Sequence, residues 1–516
     1  MVQQESRVKK TLLNARVNLI FYFLTLALSF FSRKIFLDCL GANFVGLTGT
    51  LQNLLGFLNL AELGIGSAIG YLLYKPLFEH DQQKINEIIS VMGYLYRWIG
   101  IIILAAGIIL SFFLPLIFPD SDTGFSLPLI YFAYFSFLGS SLIGYFINYR
   151  QNLLGADQRN YVVTAYFQSA TIIKTLVQMV LAYYTANYYL WVVVEFAFGI
   201  IYSFILNWKI NQTYPWLKAE VAQGKKLFRK YPEVMTKTRQ LFVHQINTFV
   251  QFQTTPIITY AFTSLNIVAC LGNYTLIIDK ICTLMNTVLG GVSAGVGNLI
   301  AEGNKNKILN IFWQITVLRT FISGIFFYCC FFSFDSFLTL WVGKEYLLPT
   351  SVLILLLSKI YIQISIGGIG QFVYGYGLFG DIWASITQSA LFFIIALIGG
   401  YYFQLNGILF SALFSITVIM GIWKPYYLFS RGFKIKPFIY WKKWVFFNVL
   451  NILSFISAYG INSVIKIEPC NNVFSWFVCT FILSLVYVVV SMVIFLSLSH
   501  SFKSLVYRLL KLNHEA

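Results

Sequence analysis

Charged side chains lie inside several long apolar segments of this chain. Placing a charge in such a segment is costly, so each charged residue there indicates a specific role. The cations in these segments outnumber the acids by seven to three. The cations are Arg33, Lys34, Arg97, Lys174, Lys280, Arg319 and Lys359, and the acids are Glu62, Glu195 and Asp279. A charge at the centre of a bilayer costs at least ~2.5–3.5 kcal/mol, so such residues usually pair or face water. The positive excess indicates a cavity that favours an anionic group.

One of these acids stands in the stretch LNLAELGIGSAIGYLLYKP, residues 58–76. Polar and small residues recur there at spacings of three and four, on one face of a helix: Gln52, Gly56, Asn59, Glu62, Gly66 and Gly70. We expect Asn59 and Glu62 to face an aqueous cavity, or Glu62 to pair with an inward cation. The glycines allow close helix approach or a bend, with simple packing as the alternative for Gly66 and Gly70. The glycines of this stretch are Gly64, Gly66 and Gly70.

Further charged candidates lie on other apolar segments. Lys174 and Glu195 are predicted either as a buried structural pair between the fifth and sixth helices or as cavity groups. Arg319 and Lys359 are candidates for the cavity or for ion coupling. Each of these charges needs a partner or water, because lipid supplies neither.

Two further segments carry polar groups or glycines without a full charge. His244 and Gln251 belong to a polar stripe on the predicted seventh helix, where His244 is either a hydrogen-bonded interior histidine or a proton site. Gly290 and Gly291 are candidate hinge or packing residues in the eighth helix.

The composition is that of a chain embedded in lipid. Of the 516 residues, 58% are hydrophobic and only 11% are charged, with a mean hydropathy of +0.74. We therefore predict an all-α polytopic membrane protein. The first apolar segment follows a basic start and is too long for a signal peptide, so it is expected to remain as a span. The seven cysteines form no metal-ligand spacing, and no metal site is predicted.

About fourteen transmembrane helices are expected from the apolar runs and the polar breaks between them. We place them near 16–37, 44–73, 89–117, 126–149, 160–184, 188–209, 239–262, 268–299, 308–334, 350–378, 382–403, 406–429, 442–464 and 473–498. The second and eighth are too long for a straight span and contain glycines, so bends are expected there.

The distribution of Lys and Arg predicts the orientation. With the N-terminus in the cytoplasm, inside segments hold 27 of these residues and outside loops hold 2. The positive-inside rule then places both termini in the cytoplasm. The net charge of +17 is mostly explained by this topology, so nucleic acid is not an expected partner.

Short strings recur at about half the length of the chain. CLGANFVGLTG from Cys39 matches CLGNYTLIIDK from Cys270, DQQKI from Asp81 matches NKNKI from Asn304, and LLGAD from Leu153 matches LFGD from Leu378. The offsets are about 231, 223 and 225 residues. The repeat predicts two pseudo-symmetric six-helix bundles around a central cavity, plus two C-terminal helices. The expected divisions are an N-lobe at 1–209, a basic cytoplasmic linker at 210–238, a C-lobe at 239–430, and the last two helices with the tail at 431–516.

No catalytic motif accompanies these features. The sequence has no phosphate-binding GxxxxGK loop and no HExxH. Its one GxSxG string, GVSAG at 291–295, lies in the predicted eighth membrane helix, without the preceding strand that a nucleophile turn requires. We expect a transporter of the secondary type rather than an enzyme, and no cofactor.

The segments RKIFLDCLGANFVGL (33–47) and LAELGIGSAIGYLLYKPLFEHDQQKI (60–85) resemble the polysaccharide transporter branch of the multidrug/oligosaccharidyl-lipid/polysaccharide (MOP) exporter superfamily, the Wzx-type flippases. This resemblance implies a flippase of the bacterial plasma membrane that moves undecaprenyl-diphosphate-linked oligosaccharide from the inner to the outer leaflet by alternating access. Such proteins serve the synthesis of O-antigen, capsule or exopolysaccharide, and polysaccharide polymerase machinery is an expected partner.

The resemblance also implies roles for individual residues. Arg33 and Lys280 correspond to cations on the first and eighth helices that hold the diphosphate in the related lipid II flippase, with lysine here in place of arginine. Transport in this family is expected to use an H⁺ or Na⁺ gradient or the membrane potential. Glu62 is the acid that we would test for coupling.

Three other functions compete with this interpretation. Lipid II itself could be the substrate. A cationic drug exporter of the same superfamily would be expected to carry mainly acids in its cavity. A polysaccharide polymerase or ligase would be expected to have a large outer loop and no internal repeat, whereas the longest predicted outer loops have only about ten residues.

Overall fold

A computed structural model describes residues 7–515 apart from 63–64, 120–123, 158, 236–237, 239–252, 291–295, 297–298, 301–302, 379 and 466–471. Nearly all of the described residues are helical, and no strand occurs among them. In chain order, the long helices of the N-terminal part are α1 (Arg7–Leu58), α2 (Ile65–Glu79), α3 (Gln82–Ser111), α4 (Leu127–Phe146), α5 (Asn160–Thr185) and α6 (Tyr188–Thr213). Those that follow are α7 (Leu265–Gly290), α8 (Lys305–Trp341), α9 (Thr350–Gly375), α10 (Ile382–Ile416), α11 (Phe438–Ile465), α12 (Val473–Leu498) and α13 (His500–Glu515).

Ten helical stretches within the described residues are long and apolar enough to cross a membrane. The prediction of an all-α polytopic membrane protein is confirmed. Two of the ten stretches, Arg16–Leu58 and Ile382–Phe433, have 43 and 52 residues, well above the ~20 that one span needs.

Both of these long stretches contain a break where a single residue leaves the helical conformation. In α1 the break is at Gly41, with φ 81° and ψ 160°, and in α10 it is at Gln404, with φ 48° and ψ −130°. In α10 the backbone doubles back at the break, because Gly399 and Gly407 are in backbone contact although eight residues separate them. The boundaries predicted at 37/44 and 403/406 therefore correspond to one-residue breaks rather than loops.

The bend expected in the second predicted helix lies at Asn59–Glu62, a short 3₁₀ turn between α1 and α2. Such a turn tightens the backbone and ends the regular hydrogen-bond ladder. It places Asn59 and Glu62 at the point where the apolar segment changes direction.

The chain divides into two compact units, residues 1–269 and 270–516. Buried aliphatic residues of α1, α2 and α3, such as Leu47, Ile69 and Ile89, contribute to the core of the first unit. The core of the second is aromatic: the ring of Phe312 packs 5.4 Å from Phe429 and 5.2 Å from Phe372 and Phe433. The lobe boundaries drawn from the sequence remain predictions.

The DQQKI and NKNKI strings have the same local role in the two units. Asp81 caps the N-terminus of α3 by accepting a hydrogen bond from Lys84 N at 2.9 Å. Asn304 caps α8 in the same way, accepting from Lys307 N at 3.1 Å. Both are preferred N-cap residues because a short side-chain oxygen satisfies an otherwise unpaired N–H of the first turn.

Part of the predicted linker packs closely on α3. Lys218 N donates to Asn86 Oδ1 at 2.8 Å, while Lys230 Nζ and Tyr231 OH donate to Glu87 Oε2 at 2.7 and 2.6 Å. Burial and the hydrogen bond to Glu87 raise the pKa of Tyr231, which keeps its proton available for donation. Residues 214–234 thus pack on α3 within the first unit.

Candidate functional site

The break between α1 and α2 holds the Glu62 carboxylate against α3. Tyr96 OH, from α3, donates a hydrogen bond to Glu62 Oε1. Asn152 Nδ2, from the short helix Gln151–Ala156, lies 3.4 Å from the same tyrosine oxygen. The half-buried acid is therefore stabilised by a neutral donor within its own unit.

Asn59 belongs to the same group of polar residues and contacts Tyr145 of α4. Tyr145 OH donates to Asn59 Oδ1 at 3.0 Å. We call Asn59, Glu62, Tyr96, Tyr145 and Asn152 the carboxylate cluster. It joins three helices through polar groups that lipid could not satisfy.

Gly66 borders this cluster and Gly70 does not. A β-carbon at Gly66 would lie 3.3 Å from the hydroxyl of Tyr96 and 3.6 Å from the side chain of Asn152. A β-carbon at Gly70 would meet nothing within 4 Å. Close packing therefore explains why residue 66 has no side chain, but it does not explain the glycine at position 70.

Arg33 is oriented by a backbone group of its own unit. Its Nη2 donates to the carbonyl oxygen of Ala269, in the first turns of α7, at 2.8 Å. The neighbouring Lys34 is exposed and lies 3.7 Å from Asp38 one turn further along α1. Of these two adjacent cations, Arg33 is half-buried and bonded to another helix, whereas Lys34 is exposed.

Lys174 and Glu195 form an ion pair between α5 and α6. Lys174 Nζ lies 2.6 Å from Glu195 Oε1, and the side chains are 20% and 18% exposed. Gln178 Nε2 donates to the other carboxylate oxygen at 3.0 Å and to the carbonyl of Trp191 at 3.1 Å. The structure brings these residues together, while their role in coupling stays a prediction.

Lys280 and Lys359 lie around one acid of the second unit. Lys280 is half-buried on α7, next to Asp279. The charge of Asp279 interacts with Lys359 of α9 and with Lys280. The predicted phosphate-binding lysine therefore belongs to a group of two cations and one acid.

Arg319 occupies a slot between α8 and α9. It is 6% exposed, and its Nη1 lies 3.5 Å from the carbonyl oxygen of Ile364. A β-carbon at Gly367 would approach Nη1 to 2.7 Å, and one at Gly368 would lie 3.5 Å from Arg319 Cδ. Gly367 therefore leaves room for the guanidinium, whereas the distance at Gly368 is an ordinary van der Waals contact.

A cavity of about 660 Å³ lies in the second unit among α8, α9, α10, α11 and α12. Its walls are mainly aromatic and aliphatic, but one side is polar. There Tyr361 OH donates to Asn448 Oδ1 at 2.5 Å, and Asn451 Nδ2 donates to Tyr361 OH at 2.9 Å and to the carbonyl of Thr320 at 2.7 Å. The cavity thus offers an apolar body and a neutral hydrogen-bonding edge.

Several predicted site residues lie outside the described part of the chain. These are Gly64, His244, Gln251 and Gly291. Gly290 is the last residue of α7.

Sequence reasoning missed the partners that complete these sites. Tyr96, Tyr145 and Asn152 belong to no polar stripe of the kind that marks Asn59 and Glu62, so the sequence does not single them out. Asn448 and Asn451 could have been found, because two amides three residues apart in an apolar helix share a face and need partners.

The comparisons with known proteins concern the fold. The structure is similar to the lipid II flippase MurJ in an inward closed conformation, with a TM-score of 0.65 and 16% identity over 93% of this chain and 98% of that one. It is also similar to an inward-facing multidrug resistance MATE family transporter of the MOP superfamily, with a TM-score of 0.50 and 14% identity over 80% of this chain and 97% of that one. No family model and no curated protein matches the sequence. The chain therefore has the fold of these transporters.

Proposed function

We propose that this protein is a flippase that moves undecaprenyl-diphosphate-linked oligosaccharide from the inner to the outer leaflet of the bacterial plasma membrane by alternating access. The excess of cations among the intramembrane charges carries the proposal. A diphosphate head group is an anion, and each uncompensated cation in a low-dielectric site lowers its free energy there. The polyprenyl tail can stay in lipid while the head group crosses.

Arg33 and Lys280 are the residues that we assign to the diphosphate. Arg33 is held by the carbonyl of Ala269, so its planar guanidinium has a fixed direction from which to bind phosphate oxygens. Lys280 supplies a point charge without a bidentate geometry. We expect Lys280→Arg to be tolerated for this reason.

Glu62 is the residue that we assign to coupling. It lies at the α1–α2 break and hydrogen-bonds Tyr96 of α3, so a change in its charge would alter the contact between these helices. Protonation or Na⁺ binding at this carboxylate would then link an ion gradient to the conformation of the first unit.

Two substrates remain as alternatives. Lipid II shares the polyprenyl diphosphate and is moved by the MurJ flippase whose fold this chain shares. A cationic drug, as a MATE-type exporter would carry, is disfavoured by the sign of the intramembrane charges.

A deletion strain tests the proposal. Lipid-linked oligosaccharides are extracted, their leaflet is determined, and the strain is complemented with wild type, Arg33→Ala, Lys280→Ala or Glu62→Gln. Lys34→Ala is the matched control, because Lys34 is adjacent to Arg33 but exposed and paired with Asp38. We expect the intermediate to accumulate on the cytoplasmic side in the deletion, and relief by wild type and Lys34→Ala only.

The outcomes separate the function from the site. An intermediate that reaches the outer leaflet normally in a strain lacking any second flippase would refute the flippase assignment. Accumulation of lipid II alone would identify lipid II as the substrate. Relief by both alanine variants at normal membrane levels would leave the function standing and refute the two phosphate-binding residues.

A further inference from the structure

The repeated strings LLGAD and LFGD each end in an aspartate that the proposed transport function does not use. Asp157 follows the short helix Gln151–Ala156 and stands just before α5. Asp381 is the N-cap residue of α10. Both carboxylates therefore stand where a long helix of their own unit begins.

In the first unit, Asp157 is bound to the end of the next helix. Its Oδ2 accepts a hydrogen bond from Tyr214 OH at 2.8 Å, and Arg159 Nε lies 2.9 Å from the same oxygen. Tyr214 is buried and directly follows α6, and the guanidinium of Arg159 lies 5.9 Å from the centre of its ring. Burial and the Asp157 carboxylate raise the pKa of Tyr214, so the phenol keeps the proton that it donates.

In the second unit, Asp381 has the corresponding contacts with different residues. Trp423 Nε1 donates to Asp381 Oδ2 at 3.0 Å, and Lys424 Nζ lies 2.7 Å from the same oxygen and 2.9 Å from the other. The Asp381 side chain is only 6% exposed. Trp423 and Lys424 stand in the helical continuation of α10, well after the break at Gln404.

The two aspartates occupy equivalent places in their helix pairs. α5 and α6 are joined through Ala186 and Asn187, and the two arms of α10 are joined at Gln404. In both pairs the aspartate connects the opposite, unjoined ends.

Each contact includes a carboxylate, the polar atom of an aromatic side chain and a cation. In the first unit the cation, Arg159, stands two residues after Asp157, and the hydrogen bond from the other helix comes from Tyr214. In the second unit both Trp423 and Lys424 reach Asp381 from the opposite arm.

We propose that Asp157 and Asp381 are positioning residues that hold the unjoined ends of these helix pairs together, so that each pair moves as one body during transport. This inference rests on the proposed flippase function. The chain joins the two arms of each pair at one end. At the other end the aspartate holds them through the hydrogen bond from Tyr214 in the first unit and through Trp423 and Lys424 in the second, which leaves the arms little freedom to separate. When the protein changes conformation, the two arms of each pair then move together.

Interspin distances in the α10 pair test the inference directly. In a cysteine-free background, spin labels at exposed Ile386 and Ile422 report on the unjoined end, and labels at exposed Leu397 and Phe410 report on the joined end. We expect Asp381→Ala to widen the distance distribution at least twofold at the unjoined end and to leave the joined end unchanged. Flipping of the lipid-linked oligosaccharide should fall at least tenfold.

A charge exchange separates positioning from simple loss of folding. Asp381→Lys combined with Lys424→Asp restores the ion pair, so we expect the narrow distribution to return and flipping to recover to within threefold of wild type. Asp38→Ala is the matched control, because it removes an exposed ion pair and should change neither readout. If Asp381→Ala does not accumulate in the membrane, Asp157→Ala, which removes the acceptor of the Tyr214 hydroxyl, is measured instead, with labels on α5 and α6.

Three results would overturn the inference. The first is an unchanged distribution in Asp381→Ala, and the second is a widened distribution with flipping at the wild-type rate. The third is a charge exchange that restores neither readout. Since the distances need no substrate, a wild-type protein that moves no lipid-linked oligosaccharide would refute the proposed function, while the distances would still decide whether the aspartates hold the helix pairs.

Discussion

The Lys174–Glu195 ion pair gives a quantitative prediction for the first unit. Lys174→Met removes a cation 2.6 Å from a carboxylate whose side chain is only 18% exposed. Breaking a fully buried pair costs ~3–5 kcal/mol. Here Gln178 still donates to Glu195 at 3.0 Å and a fifth of each side chain is exposed, so we expect a loss of about 2–3 kcal/mol in the free energy of unfolding.

Replacing both partners by apolar residues should restore most of this stability. In the double variant Lys174→Met/Glu195→Met no charge is left without compensation, and Gln178 keeps its bond to the carbonyl of Trp191 at 3.1 Å. Such replacements are often neutral or stabilising, so we expect the double variant within about 1 kcal/mol of wild type. The coupling energy of the cycle should then be about 2–3 kcal/mol.

The assay is equilibrium unfolding of the purified protein in mixed micelles, followed by tryptophan fluorescence, for wild type, both single variants and the double variant. Additive losses, with the double variant as unstable as the sum of the single ones, would refute the reasoning. Flipping by the stable double variant then decides the predicted coupling role. Wild-type activity would assign the pair to structure alone, whereas inactivity at normal stability would favour a role in transport.

Two glycine pairs give further predictions, each with an internal control. Gly66→Ala places a methyl group 3.3 Å from the tyrosine hydroxyl of the carboxylate cluster and should lower stability by about 1 kcal/mol, whereas Gly70→Ala, with open space around it, should be neutral or stabilising in thermal unfolding. Equal effects of the two would contradict this packing. Gly46→Ala would bring its methyl group to 2.2 Å from the carbonyl oxygen of Leu265, so we expect little folded protein by size-exclusion chromatography, whereas Gly49→Ala should accumulate normally. Normal accumulation of Gly46→Ala would show that the backbone contact is not required.

The sequence determined the class of fold because the relevant signals are local. The length and composition of the apolar segments are enough to identify membrane helices. Lipid offers no hydrogen bonds to the backbone, and a helix satisfies its backbone N–H and C=O groups internally. The DQQKI and NKNKI strings also encode their caps locally, because Asp81 and Asn304 bond to N–H groups only three residues away. The sign of the net intramembrane charge follows from counting the cations and acids in the apolar segments.

Only the tertiary structure decided which polar groups meet. Glu62 and Tyr96 are 34 residues apart, and Asp381 and Lys424 are 43 apart. Whether such residues touch depends on the rotation and crossing of several helices, which helical periodicity within one segment does not specify. For the same reason the contacts of the basic segment 214–234 with α3 follow only from the tertiary structure. Periodicity shows which face of a helix is polar, and packing alone decides what that face contacts.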